Sequence, residues 1–174
     1  MKRTLVLAAS IAIVLGVSLT AAALQITSSA FTPNGKIPSK YTCDGQSINP
    51  PLTFASIPPK TQSLVLIVDD PDVPKNLMPS GVFDHWLIWD LPADGKGIAE
   101  AAPEAKSGIN GTGQAGYIGP CPPDREHRYF FKLYALNAKL TGAKVANKND
   151  LETAMKGHIL EQAELIGRYE RTSK

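Results

Sequence analysis

SLVLIVDDPDVP, residues Ser63 to Pro74, is the stretch on which the reading of the fold turns. Its first half is a continuous apolar run, the pattern of a buried strand. Its second half turns abruptly to aspartate and proline, which end a strand and open a loop. Two other segments repeat the strand pattern. FDHWLIWDL, from Phe83 to Leu91, stops at Pro92, and YFFKLYAL, from Tyr129 to Leu136, is dense in aromatic and aliphatic residues. Gln25 to Phe31 reads as a further strand near the start of the domain. Fourteen prolines and fourteen glycines lie between these runs, in turns such as Pro33-Asn34-Gly35, Asn49-Pro50-Pro51 and Pro58-Pro59. Short strands joined by such turns predict a mainly β domain.

One helix is expected late in the chain. Asn149 is placed to cap it, with Glu152 as the reciprocal partner three residues on. Leu151, Met155, His158, Ile159, Gln162 and Ile166 fall near one helical face, so the helix is expected to continue through Gly157 to Gly167. Pro103 to Ser107 reads as a second, shorter helix.

Residues 1–23 are expected to lie outside the domain, which then covers residues 24–174. Lys2 and Arg3 precede an uninterrupted apolar and small-residue run, and Ala21 to Ala23 supply a cleavage pattern. This is the anatomy of a secretory signal peptide, with a periplasmic or secreted product. An uncleaved N-terminal anchor is the alternative, since the run approaches the roughly 20 residues of a bilayer span. Without Lys2 and Arg3 the chain is formally neutral, because the whole sequence carries 18 Lys and Arg against 16 Asp and Glu. A neutral domain has no bulk attraction for nucleic acid, so anion binding has to come from a local site. Cys43 and Cys121 are the two cysteines. An even count in an exported protein predicts one disulfide, with two free thiols as the alternative.

Three motifs bring polar residues to the boundaries of strands and loops, where rigid scaffolds present functional side chains. They are Asp69-Asp70-Pro71-Asp72-Val73-Pro74, Asp84-His85-Trp86, and GYIGPCPP from Gly116 to Pro123 followed by His127-Arg128-Tyr129. In this order and approximate spacing they resemble the phosphatidylethanolamine-binding protein family. YTCDG, from Tyr41 to Gly45, and GHILEQAELIG, from Gly157 to Gly167, are similar to its bacterial and archaeal, Raf kinase inhibitor-like branch. The resemblance covers nearly all of residues 25–171. It implies a large central antiparallel sheet packed with a smaller sheet, plus peripheral helices including one near the C-terminus. It also implies a small pocket for phosphate, phosphoethanolamine or related anions. By motif position, Asp70, His85 and His127 would be pocket residues, with Gly119 and Pro120 in the wall and Tyr117 and Tyr129 as weaker contributors.

The residue types agree with such a site on chemical grounds. Two imidazoles facing one cavity donate hydrogen bonds to phosphate oxygens, and a nearby carboxylate favours their charged form. Affinity is then expected to fall as pH rises through roughly 6.5 to 7.5. Glycine lets backbone approach a ligand, and Pro120, Pro122 and Pro123 stiffen the loop. Asp72 and Arg128 suit a bidentate pair that supports the loops. His158 reads as an ordinary surface or packed histidine, and Trp86 and Trp89 as core or pocket wall. SGINGTGQA, from Ser107 to Ala115, is small and polar, and is expected to widen the pocket mouth.

The leading function is a non-catalytic binding module for a small anion or phospholipid head group, without a cofactor. A protein partner, such as a protease or another regulated enzyme, is the regulatory version. A metalloprotein built on Asp70, His85 and His127 is a second class, although paired metal-ligand spacings are missing. A hydrolase is a third, and it lacks a nucleophile: no G-x-S-x-G elbow is present.

Overall fold

The computed structural model describes residues 22–102 and 107–171. The signal-peptide reading, up to residue 21, and most of the expected short helix at 103–107 therefore lie outside the described residues. Among the described residues no helix is long and apolar enough to cross a membrane.

The strands are β1 (Gln25–Thr27), β2 (Thr53–Ala55), β3 (Ser63–Asp70), β4 (Phe83–Leu91), β5 (His127–Leu136) and β6 (Ile159–Tyr169). One helix, α1, spans Lys148–Met155. The large sheet has the order β4-β3-β5-β6, with antiparallel neighbours throughout, and β1 and β2 form a small antiparallel sheet. Every residue of β3 is buried. Its side chains alternate between two cores. Leu64, Leu66 and Val68 join Ile26 and Phe54 of the small sheet. Val65 and Ile67 join Leu151 and Met155 of α1. A strand covered on both faces needs no polar alternate, hence the unbroken apolar run. Trp86 and Trp89, three residues apart on β4, consequently belong to different cores.

The long C-terminal helix is not formed. The helix starts two residues earlier than expected, because Asn147, and not Asn149, accepts the Asp150 amide. It ends at Met155, and Gly157 takes a φ of 82°, which glycine adopts without cost. Ile159–Tyr169 then runs as a strand along β5. Helix-forming residues such as Glu161 and Glu164 yield here to the hydrogen bonds of a sheet edge. Leu165, Gly167 and Tyr169 are buried and alternate with partly exposed neighbours, a period of two that the coincidental helical spacing concealed. At the front of the domain, β1 also ends sooner than expected, at Thr27.

Candidate ligand pocket

The pocket lies where β3 ends, β4 begins and the 116–123 loop crosses. Its position depends on a β-bulge. Val68 pairs with Trp86 and Asp69 with Asp84, so His85 is an extra residue between two ladder positions. Asp84 reaches Lys148 of α1 on one face of the sheet. His85 packs its ring edge-on against Tyr129 on the other, at 5.2 Å between centroids. Bulges re-aim side chains in this way beside functional sites. In strict alternation His85 would share the face of its pairing partner Asp69 and point away from the cavity.

Asp70 closes β3 over an Asx turn, with Oδ1 accepting from the Asp72 amide at 2.8 Å. Its Oδ2 lies 2.7 Å from His127 Nδ1. His127 Nε2 lies 2.7 Å from Asp124 Oδ1. His127 is fully buried, so both ring nitrogens are engaged with carboxylates and neither faces the cavity. Burial pushes the Asp70 carboxyl up, with the His127 bond opposing it. Next to it, Arg128 grips Asp72 through Nε at 2.8 Å and Nη2 at 2.7 Å, and its amide adds a third bond. That grip holds the Asp72 carboxyl down to about 2. The Asp72–Arg128 pair is thus a loop brace of the expected bidentate form.

His85 is set differently. Its Nδ1 is 2.7 Å from the Ile118 carbonyl oxygen, which only accepts, so Nδ1 carries the proton. The Ile118 amide returns a bond to the His85 carbonyl at 3.0 Å. Among the described residues Nε2 has no protein partner. Burial drives the ring pKa down to about 4 against the pull of the Ile118 bond. At neutral pH His85 is therefore uncharged and presents a lone pair at Nε2, where the sequence suggested a charged donor. The window of 6.5 to 7.5 expected for pH-dependent binding does not belong to this ring.

The cavity holds about 250 Å³, and its polar side chains are Asp70, His85 and Thr112. Val73, Phe83, Ile118 and Pro123 make it largely apolar, with Gly119 and Cys121 completing the wall. The Cys43–Cys121 disulfide is formed, with Cα atoms 5.4 Å apart. Cys43 also donates its amide to the Pro120 carbonyl. A Cβ on Gly119 would sit 2.6 Å from the Tyr41 carbonyl oxygen. That glycine serves loop-to-loop packing as well as the cavity. Pro120, Tyr117 and Tyr129 stand behind the lining. The Tyr117 hydroxyl donates to the Tyr41 carbonyl, and Tyr129 is buried against His85 with its hydroxyl unpartnered among the described residues.

Of the expected site residues, Asp70, His85 and Gly119 share the cavity wall, and His127 supports it from behind. Val73, Phe83, Thr112 and Ile118 were missed, since isolated apolar residues and a lone threonine carry no sequence signal for a pocket. The 107–115 segment supplies Thr112 to the cavity wall. Asn110 is buried, donating to the Gly116 carbonyl while its Oδ1 accepts from the Thr112 amide and hydroxyl. Gly111 lies flat on the Phe83 ring, where a Cβ would be 2.6 Å from a ring carbon. Among the described residues no three His, Cys, Asp or Glu side chains converge to hold a metal ion.

The chain is similar to known proteins. A UPF0098 protein of Chlamydia pneumoniae is 47% identical over 86% of this chain and 100% of its own length. One from Methanothermobacter thermautotrophicus is 45% identical over 85% of this chain and 99% of its own. The crystal structure of CT736 from Chlamydia trachomatis, described as a phosphatidylethanolamine-binding protein homolog, superposes with a TM-score of 0.83. It is 45% identical, over 86% of this chain and 98% of its own. YbcL of E. coli, at 24% identity and a TM-score of 0.75, shares the fold over 87% of this chain and 100% of its own. The family model described as phosphatidylethanolamine-binding protein matches residues 27–170, a span that holds the whole large sheet and every side chain lining the cavity, and the chain belongs to that family.

Proposed function

We propose that this chain is an exported, non-catalytic receptor for a small oxyanion, either free phosphate or the phosphate of a phospholipid head group. The observation that carries the reading is the unspent Nε2 of His85 in a cavity of about 250 Å³. That volume is below the roughly 300–1,000 Å³ of pockets for drug-sized ligands, which favours a small guest. An oxyanion seats at Nε2 when a proton lies on the nitrogen–oxygen line. A phosphomonoester brings that proton itself below its second pKa of about 6. Sulfate and the diester phosphate of an intact phospholipid do not, so for them the ring has to take one from solvent.

The absence of catalysis is supported by how the lining hydroxyl and thiol groups are spent. Cys121 is in the disulfide, and the Thr112 hydroxyl donates to Asn110 at 2.6 Å. Among the described residues that line the cavity, none is an activated hydroxyl or thiol nucleophile. Export is supported by the signal-like residues 1–23 and by the disulfide.

Calorimetry with phosphoethanolamine and sulfate across pH 4 to 8 tests the reading. Sulfate affinity is expected to fall as pH climbs above about 4, where the empty pocket loses the His85 proton. Phosphoethanolamine affinity is expected to hold until about pH 6. His85→Ala should weaken phosphoethanolamine by about 1.5–3 kcal/mol, the scale of a hydrogen bond to a charged group. Equal affinity in wild type and His85→Ala, or no saturable heat with either probe, would overturn it.

A further inference from the structure

We propose that Glu161 is the receptor for a new chain terminus: hydrolysis of the Ala23–Leu24 bond frees an α-ammonium group on Leu24, which the Glu161 carboxylate holds. The inference rests on the export reading above. It adds the bond that is cut and the residue that receives the product.

The Leu24 backbone nitrogen lies 2.9 Å from Glu161 Oε1, a contact across 137 residues. In the uncut chain that nitrogen is a neutral amide with one proton to give. The packed part of the domain begins at this residue. Ala22 and Ala23 are exposed, whereas Leu24 is 4% exposed and belongs to the core that holds Ile26, Leu133 and Leu165. Glu161 stands on β6 opposite Ala135 of β5. It lines a recess with Ala22 and the turn from Ser56 to Pro59, and among these residues it alone carries a charge. The elements packed around it bring no cation to it. β1 has no charged residue, and Lys132 of β5 is engaged with Asp69 on the other face of the sheet. Lys60, just past the turn, is exposed. Among the described residues, the Leu24 nitrogen is thus the donor that this carboxylate meets.

Three consecutive alanines, Ala21 to Ala23, leave the bond open on sequence grounds, since a signal-type peptidase asks only for small residues there. The geometry selects one bond. A cut after Ala23 places the new terminus on Glu161, whereas a cut after Ala22 leaves an amide against the carboxylate. Hydrolysis consumes one water, and leaves a carboxylate on Ala23 and an amine on Leu24. That amine takes up a proton, because its ordinary pKa is about 7.7–8.0. One neutral donor becomes a charged group with three, and a charge-assisted hydrogen bond is the stronger kind. The carboxylate in turn favours the ammonium form and raises its pKa. The folded value then exceeds the unfolded one. The contribution to stability is complete below about pH 8 and is lost as pH rises through the raised value. Cutting therefore fastens β1, and with it the small sheet, to the edge strand of the large one.

The full chain and its Glu161→Gln variant, expressed in a bacterium with an outer membrane and recovered from the periplasm, test this. Intact-mass spectrometry identifies the first residue. Reductive ¹³C-methylation of the terminal amine lets its titration be followed by NMR, and thermal melts are recorded from pH 6 to 10. Glutamine keeps an oxygen acceptor and removes only the charge, so the variant is expected to fold. Both proteins are expected to begin at Leu24. The terminal amine should titrate about one pH unit higher in the wild type than in Glu161→Gln. The wild type's advantage in melting temperature should shrink between pH 7 and 10, a difference from which titrations common to both proteins cancel. Identical amine titration in the two proteins would overturn the role of Glu161 and leave export intact. A cut at any other bond would do the same. A chain that still carries residues 1–23 would overturn both.

Discussion

Asp69 and Asp70 are consecutive, both buried, and put to opposite uses. Asp69 points to the α1 side of the sheet, where Oδ2 is 2.8 Å from Lys132 Nζ and also meets Lys148 Nζ. Lys148 bridges on to Asp84. Asp70 points to the other side and faces His127 and the cavity. One carboxylate is balanced by two lysines. The other is balanced by the His127 imidazole. Fixed charges on the first face tie the helix to the sheet. Titratable groups on the second leave room for a guest to change the proton count. The difference teaches where this fold separates architecture from binding: across the thickness of a single strand.

The largest expected effect breaks the architectural side. Asp69→Ala leaves the half-buried Lys148 with only Asp84, and should cost about 3 kcal/mol, the low end for breaking a buried ion pair. Urea unfolding measures the loss, and phosphoethanolamine affinity should stay unchanged. A loss of affinity as large as the loss of stability would erase the division between the faces.

The next effect sharpens the binding side through acid. The folded His85 ring resists the proton until about pH 4, whereas the unfolded ring takes it near 6.5. Its contribution to stability is therefore complete above pH 6.5 and is lost as pH falls toward 4. The loss is on the order of 3 kcal/mol at most. Asp70, pushed up by burial, acts with the opposite sign: the folded state keeps its proton longer, so its contribution is present at low pH and fades as pH rises. The variant His85→Phe removes the first effect and keeps the second. Its stability should change less than that of the wild type between pH 6.5 and 4. An identical acid profile for the two proteins would show that His85 is not held neutral.

Much of this division was legible in the sequence. The apolar run of Ser63 to Val68 marked the central strand because both of its faces are covered. The loop residues that meet at the cavity announced themselves as aspartate, histidine and Gly-Pro motifs at strand ends. Three features were not legible. The spacing of Leu151, Met155, Ile159 and Ile166 suits a helix, yet β5 offered an unpaired edge that only tertiary structure reveals. The bulge at His85 is a one-residue register shift with no compositional trace. The capture of His127 by Asp124 is a contact over three residues, which sequence cannot distinguish from a solvent-exposed aspartate.

The central claim is that His85 is neutral in the empty pocket and gains a proton at Nε2 when a non-titrating oxyanion binds. A long-range ¹H–¹⁵N spectrum of the His85 ring, recorded at pH 6 during a sulfate titration, tests it most directly. The account predicts a protonated Nδ1 and a bare Nε2 in the free protein, with both nitrogens protonated at saturation. Saturable sulfate binding with Nε2 still bare would contradict it, as would a doubly protonated ring before any sulfate is added.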